Sequence, residues 1–169
     1  LVLNNILLTT ACATVLVGTL YPLLLESLTG DKISVGPPYF DWTFGPLMVP
    51  LLLALPFGPF LAWKRGDVLG AGQRLMFAAM LAIGFMVLTL AVYQRGPWLA
   101  PFGIALGVFV MAGAVSDLAW RIRLGSVPLG EAWRRFVNLP RSAIGSPLAH
   151  FGVGMLVVGV GATSAYREE

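Results

Sequence analysis

The sequence predicts an all-α fold: a polytopic membrane helix bundle of about five transmembrane helices. Three observations carry that prediction. The 169 residues are 57% apolar and only 11% charged, where a soluble domain carries about a quarter charged residues. Mean hydropathy is +0.83. The charges cluster in short patches between apolar runs of about 20 residues, the length a helix needs to cross the bilayer core. Inside lipid the backbone must satisfy itself as helices or a closed barrel, and the runs lack the strict alternation of barrel strands.

The first predicted span covers residues 3–25. A step of about 100° per residue puts Asn5, Thr9, Cys12, Thr19 and Glu26 on one narrow strip. Such a strip either packs on a neighbouring helix, its hydroxyls bonded back to their own helix, or lines a cofactor or quinone pocket. Pro22 should kink the exit. Residues 27–45 read as a loop, with turn chemistry at Gly30 and Pro37-Pro38. Tyr39, Phe40 and Trp42 suit a membrane-water interface.

The second span, 45–63, carries Pro46, Pro50, Pro56 and Pro59 and should be kinked or locally unwound at the inner pair. Lys64, Arg65 and, after Gly70-Ala71-Gly72, Arg74 form a basic patch. The third span, 75–93, contains Met76, Met80 and Met86, gap-fillers whose spacing does not make a copper site. Gln94 to Trp98 turn into the fourth span, 99–120. Near its end Asp117 stands four residues before Arg121, on one helix face, as an interfacial ion pair or a proton relay. Residues 121–141 form a long basic loop in which Glu131 to Phe136 can make a short surface helix. The last span, 144–166, should begin near Ser146-Pro147, a capping residue followed by one that tolerates a first turn.

Charge sets the expected orientation. Eight basic residues (Lys64, Arg65, Arg74, Arg121, Arg123, Arg134, Arg135 and Arg141) fall on one side and three (Lys32, Arg95 and Arg167) on the other. The basic side is expected to be cytoplasmic, with the N-terminus inside and the C-terminus, Glu168-Glu169, in the periplasm. The start at Leu1 suggests a piece of a longer protein, and no signal peptide is read there. Residues 1–169 are expected to form a single transmembrane domain. The basic loop belongs to the positive-inside pattern and does not argue for nucleic acid.

Few residues can carry chemistry. Cys12 is the only cysteine and His150 the only histidine, which leaves no zinc set, no Cys-His dyad and no Ser-His-Asp triad. No phosphate-binding GKS or GKT loop is present. His150 is placed inside a membrane span, where an imidazole costs free energy and tends to face protein. His150, Gly154, Val157 and Gly161 project from one helix face, with Gly152 and Gly159 roughly opposite. Glycines there let another helix, or a flat ring, approach the backbone. His150 is then a haem-iron ligand or an interhelical hydrogen-bond donor, and the residues alone leave the two level. A six-coordinate haem would need its second ligand from outside this chain.

Asn4-Asn5-Ile6-Leu7-Leu8-Thr9, Gly18-Thr19-Leu20-Tyr21-Pro22 and the run from Gly30-Asp31-Lys32 through Gly36-Pro37-Pro38-Tyr39-Phe40 resemble the CcmF/CycK/NrfE family. These are the haem-lyase subunits of bacterial system I cytochrome c maturation. Ala149-His150-Phe151-Gly152 resembles the family's late transmembrane histidine segment. The resemblance implies a middle-to-late part of a multi-pass inner-membrane protein that helps attach haem to apocytochrome c. It also implies a transmembrane haem b, with His150 as one axial ligand and a quinol as electron donor. The implied partners are a periplasmic haem chaperone, apocytochrome c, other maturation subunits and membrane lipid. The Trp-rich haem platform and the other family histidines are missing from these residues, so no catalytic residue is assigned. The alternative is a membrane carrier or channel subunit, with the first span's polar strip and the proline-broken second span lining a path for haem or another solute.

Overall fold

The computed structural model describes residues 2–61, 68–92 and 99–165. Lys64, Arg65, the turn from Gln94 to Trp98, and the ends of the second, third and last predicted spans at Trp63, Tyr93 and Tyr166 lie outside the described residues, as do Arg167 and the Glu168-Glu169 tail. The described chain is helical: α1 (Val2–Thr29), α2 (Pro37–Ala54), a 3₁₀ segment (Leu55–Phe60), α3 (Val68–Val92), α4 (Ala100–Arg121), α5 (Leu129–Val137) and α6 (Arg141–Ala165). Five stretches, α1, α2 with its 3₁₀ extension, α3, α4 and α6, are long and apolar enough to span a membrane. The chain divides into two compact units, Leu1–Leu52 and Leu53–Glu169.

In the first unit, α1 runs unbroken through Pro22 and ends at Gly30. The φ of +77° there and the bond from Gly30 N–H to the Glu26 carbonyl at 3.0 Å make a glycine C-cap. Its packed face is Leu7, Ala11 and Gly18, spaced by four and seven as a helix stripe requires. Gly18 matters because two rings lie on it: a Cβ there would stand 2.6 Å from Tyr39 Cε1 and 3.1 Å from Phe40 Cζ. The Tyr39 hydroxyl donates to the Thr14 carbonyl at 3.1 Å. Tyr39, Phe40 and Trp42 are therefore not in a loop. Pro37, fixed in φ and needing no N–H partner, opens α2 eight residues earlier than the composition suggests. Trp42 is exposed, but Tyr39 and Phe40 pack on α1.

The second unit is built on α4, which packs against α3, α6 and the 3₁₀ segment. The expected disturbance at the inner prolines is present: after Ala54 the helix tightens into the 3₁₀ segment holding Pro56 and Pro59. Pro56 is buried, and a Cβ on Gly113 would stand 2.6 Å from its Cβ. The core of this unit joins Phe60, Ala71, Leu75, Ala78, Ala82 and Phe109. The α3 members recur at intervals of four and three residues, the spacing of a buried helical face. Because Ala71 belongs to that face, α3 begins at Val68, seven residues before the predicted span. Gly70-Ala71-Gly72 and Arg74 lie on the helix rather than before it.

The short helix expected within the basic loop forms as α5. Pro128 carbonyl accepts from Glu131 and Ala132 N–H at 2.9 and 3.0 Å, and Arg135 Nη2 lies 2.7 Å from Glu131 Oε1.

Candidate functional site

α6 determines where His150 is carried. The helix starts at Arg141, not at Ser146-Pro147; Pro147 lies inside it. The turn is launched by Pro140, whose carbonyl accepts from Ala143 N–H at 2.9 Å. His150 is therefore nine positions into a 25-residue helix, about 13.5 Å along it at 1.5 Å per residue. The single turn of depth expected from Ser146-Pro147 is too shallow.

The glycines around His150 divide into two groups. Gly154 and Gly161 belong to a seam with α4. A Cβ on Gly154 would stand 2.5 Å from Met111 Cγ and 2.8 Å from the Gly107 carbonyl oxygen, and one on Gly107 would meet the Gly154 carbonyl oxygen at 2.8 Å. A Cβ on Gly161 would stand 3.0 Å from Ile104 Cγ1. Two backbones approach here as small-xxx-small helices do. Gly145, Gly152 and Gly159 have nothing within 4 Å of a built Cβ.

This corrects the expectation that glycine on the histidine's own face leaves room for a ring. That room is filled by α4. Pro147, Gly154 and Gly161 are buried, His150 and Val157 are half-buried at the edge of the seam, and Ser146, Ala149 and Val153 beside them are exposed. The imidazole sits where the packed face gives way to an open flank of mostly small residues. Neither ring nitrogen takes part in a hydrogen bond or ion pair with a described residue. An imidazole in an apolar span without a partner is available to a ligand approaching that flank. Among the described residues there is no group of three or more His, Cys, Asp or Glu able to hold a metal ion.

The other candidates are structural or open-faced. The α1 strip of Asn5, Thr9, Cys12, Thr19 and Glu26 is exposed throughout; Thr19 donates back to the Val15 and Leu16 carbonyls at 2.8 and 3.1 Å. Asp117 pairs with Arg121 at 2.9 Å at the end of α4; the carboxylate is buried, 3% exposed, while the arginine side chain stays 32% exposed. Asp117 Oδ2 has no partner. Met76 and Met80 are exposed, while Met86 lines an apolar groove of about 410 Å³ with Phe57, Phe102 and Phe109. The sequence reading passed over Gly103 and Gly107, although a G-x-x-x-G pair in an apolar run signals close helix approach.

Comparison with known proteins gives consistent names. The chain is 56% identical over 171 residues to the cytochrome c-type biogenesis protein CycK of Rhizobium meliloti (strain 1021). It is 52% identical over 169 residues to CycK of Bradyrhizobium diazoefficiens and 31% identical over 177 residues to the cytochrome c-type biogenesis protein CcmF of Escherichia coli (strain K12). Each similarity covers all of this chain and 25%, 26% and 25% of the relative, respectively. The chain thus spans about a quarter of the length of the curated relatives it matches. No protein-family model matches it, and no solved structure does.

Proposed function

Because the chain belongs, as a segment, to the family of cytochrome c-type biogenesis proteins named CycK, CcmF and NrfE, we propose that it is the haem-ligating membrane section of such a protein. His150 would supply an imidazole nitrogen to the iron of a transmembrane haem b, and a second ligand would come from outside these residues. The observation carrying this reading is the lone imidazole, well inside an apolar helix, half-buried beside the α4 seam and free of any described partner.

The residues fit half of such a site. The seam fixes α6 with the half-buried His150 at its edge, next to the exposed Ser146, Ala149 and Val153. The haem, when bound, supplies one-electron chemistry. The chain supplies one imidazole nitrogen and an apolar wall that excludes water. On the same reading, a quinol is the electron donor and the assembled protein acts as a haem lyase on apocytochrome c. A periplasmic haem chaperone and other maturation subunits are then its partners. The basic ends face the cytoplasm, in a bacterial inner membrane.

The test is to purify the complete protein with His150→Ala and compare its haem content and optical spectrum with those of the parent. The expected result is loss of the b-type spectrum, with partial recovery when imidazole is added in solution. An unchanged spectrum at unchanged haem content refutes the ligand assignment.

A further inference from the structure

A second recess lies in the Leu53–Glu169 unit, between the start of α3 and the end of α4. Its volume is about 930 Å³, and Gln73, Arg74, Trp120, Arg123 and Ser126 are among its lining residues. Among the described residues, no carboxylate lines it. Neither the Arg74 nor the Arg123 guanidinium is in a hydrogen bond or ion pair with a described residue.

Arg74 Cζ lies 4.1 Å from the centroid of the Trp120 ring and 5.9 Å from that of Phe60. Stacking of this kind uses the face of the guanidinium and leaves its planar edge of N–H donors available. No hydrogen bond or ion pair with a described residue engages that edge. Arg123 takes a left-handed backbone conformation, φ +54°, two residues before Gly125 at φ +83°. A non-glycine residue held there is strained. The turn is tied by Arg123 N–H to the Trp120 carbonyl at 3.1 Å and Ser126 N–H to the Arg123 carbonyl at 3.0 Å. The nearby Glu131 carboxylate feels Arg123 only weakly and is committed to Arg135.

We propose that this recess binds a phosphoryl oxyanion, with Arg74 and Arg123 as its two cationic contacts and Gln73 and Ser126 as neutral donors. Paired guanidiniums suit phosphate oxygens because their N–H geometry matches them and the charge assists the bond. The position favours a phospholipid headgroup as the source. The recess sits where one apolar span begins and another ends, and α5 just beyond it exposes Leu129, Trp133 and Val137. These fall at i, i+4 and i+8, the apolar stripe of a helix lying in a bilayer interface. Basic pockets between transmembrane helices at that level attract anionic headgroups.

The experiment uses the complete protein in nanodiscs of phosphatidylglycerol mixed with phosphatidylcholine. Retained lipid is read by native mass spectrometry, and inorganic phosphate is titrated separately into delipidated protein. The expected result is a phosphatidylglycerol preference of about twenty-five-fold, roughly five-fold for each arginine. Arg74→Gln with Arg123→Gln brings it near parity, and Arg134→Gln with Arg141→Gln, outside the recess, leaves it unchanged. If the first double variant fails to fold, Ser126→Glu, at an exposed rim position, should repel the same anion. Retention of the anionic lipid without phosphate binding assigns the headgroup, and phosphate binding without lipid assigns a soluble source. Parity between the two lipids with no phosphate binding overturns the proposal, and so does an equal loss in the Arg134 and Arg141 control.

Discussion

Replacing Gly154 with alanine tests whether the α4–α6 seam is as close as described. The added Cβ would meet Met111 Cγ at 2.5 Å, Gly107 carbonyl oxygen at 2.8 Å and Met111 N at 3.0 Å. Met111 can swing its side chain, but the other two atoms are backbone. Bringing the oxygen contact to ordinary van der Waals range parts the helices by roughly 0.6 Å. A gap of that size forfeits a quarter to a half of each dispersion contact along the seam. Overpacking of this kind costs about 1–3 kcal/mol. Alanine also recovers up to ~1 kcal/mol of helix propensity relative to glycine, which partly hides the clash. Gly152→Ala is the control: the same exchange on the same helix, with nothing within 4 Å of its Cβ. The difference between the two variants isolates the steric term, with Gly154→Ala less stable by about 1–3 kcal/mol. Unfolding of the 169-residue chain in mixed micelles, followed by circular dichroism, measures it. Stabilities within about 0.5 kcal/mol of each other would refute the close seam.

Two further outcomes follow from the charges. Arg121→Ala leaves the buried Asp117 carboxylate without its guanidinium and should cost about 3–5 kcal/mol; adding Asp117→Asn should return most of it, measured by the same unfolding assay. Glu131 is held below its ordinary carboxylate range, first by the Arg135 hydrogen bond and then by the Arg135 charge. A depressed folded-state pKa means a contribution present above the unfolded value, near 4.5, and lost as pH falls through the folded value. The protection factors of the α5 amide protons, corrected for intrinsic exchange, should therefore fall as pH drops below 4.5, and Glu131→Gln should abolish that dependence.

Apolar run length and charge clustering made the helices legible because a membrane span must satisfy its own backbone, so its length is dictated by the bilayer. The boundaries were less legible, for identifiable reasons. Ala71 and Leu75 are buried in one cluster with Phe60 and Phe109, so tertiary burial extends α3 through glycines that signal a loop by themselves. Pro37 and Pro147 each admit two readings, helix opening or helix interior, and the preceding residues decide between them. At the candidate site the sequence placed Gly154 and Gly161 correctly on the histidine's face. It could not say whether a helix or a ring fills the space, since periodicity describes one helix and not its neighbour. Gly103-Ile104-Ala105-Leu106-Gly107 on α4 was the signal that would have answered this.

The seam also acts as an aiming device. Pro147, Gly154 and Gly161 recur every seven residues on α6; Gly154 admits no Cβ against α4 without a shift and Gly161 leaves only tight room for one, so the packing favours one azimuth of the helix. The direction in which His150 points is thus set by atoms that never touch it. One residue inserted between His150 and Gly154 would let the two glycines keep their contacts with α4, yet turn the imidazole, and Pro147 with it, by about 100° away from that face.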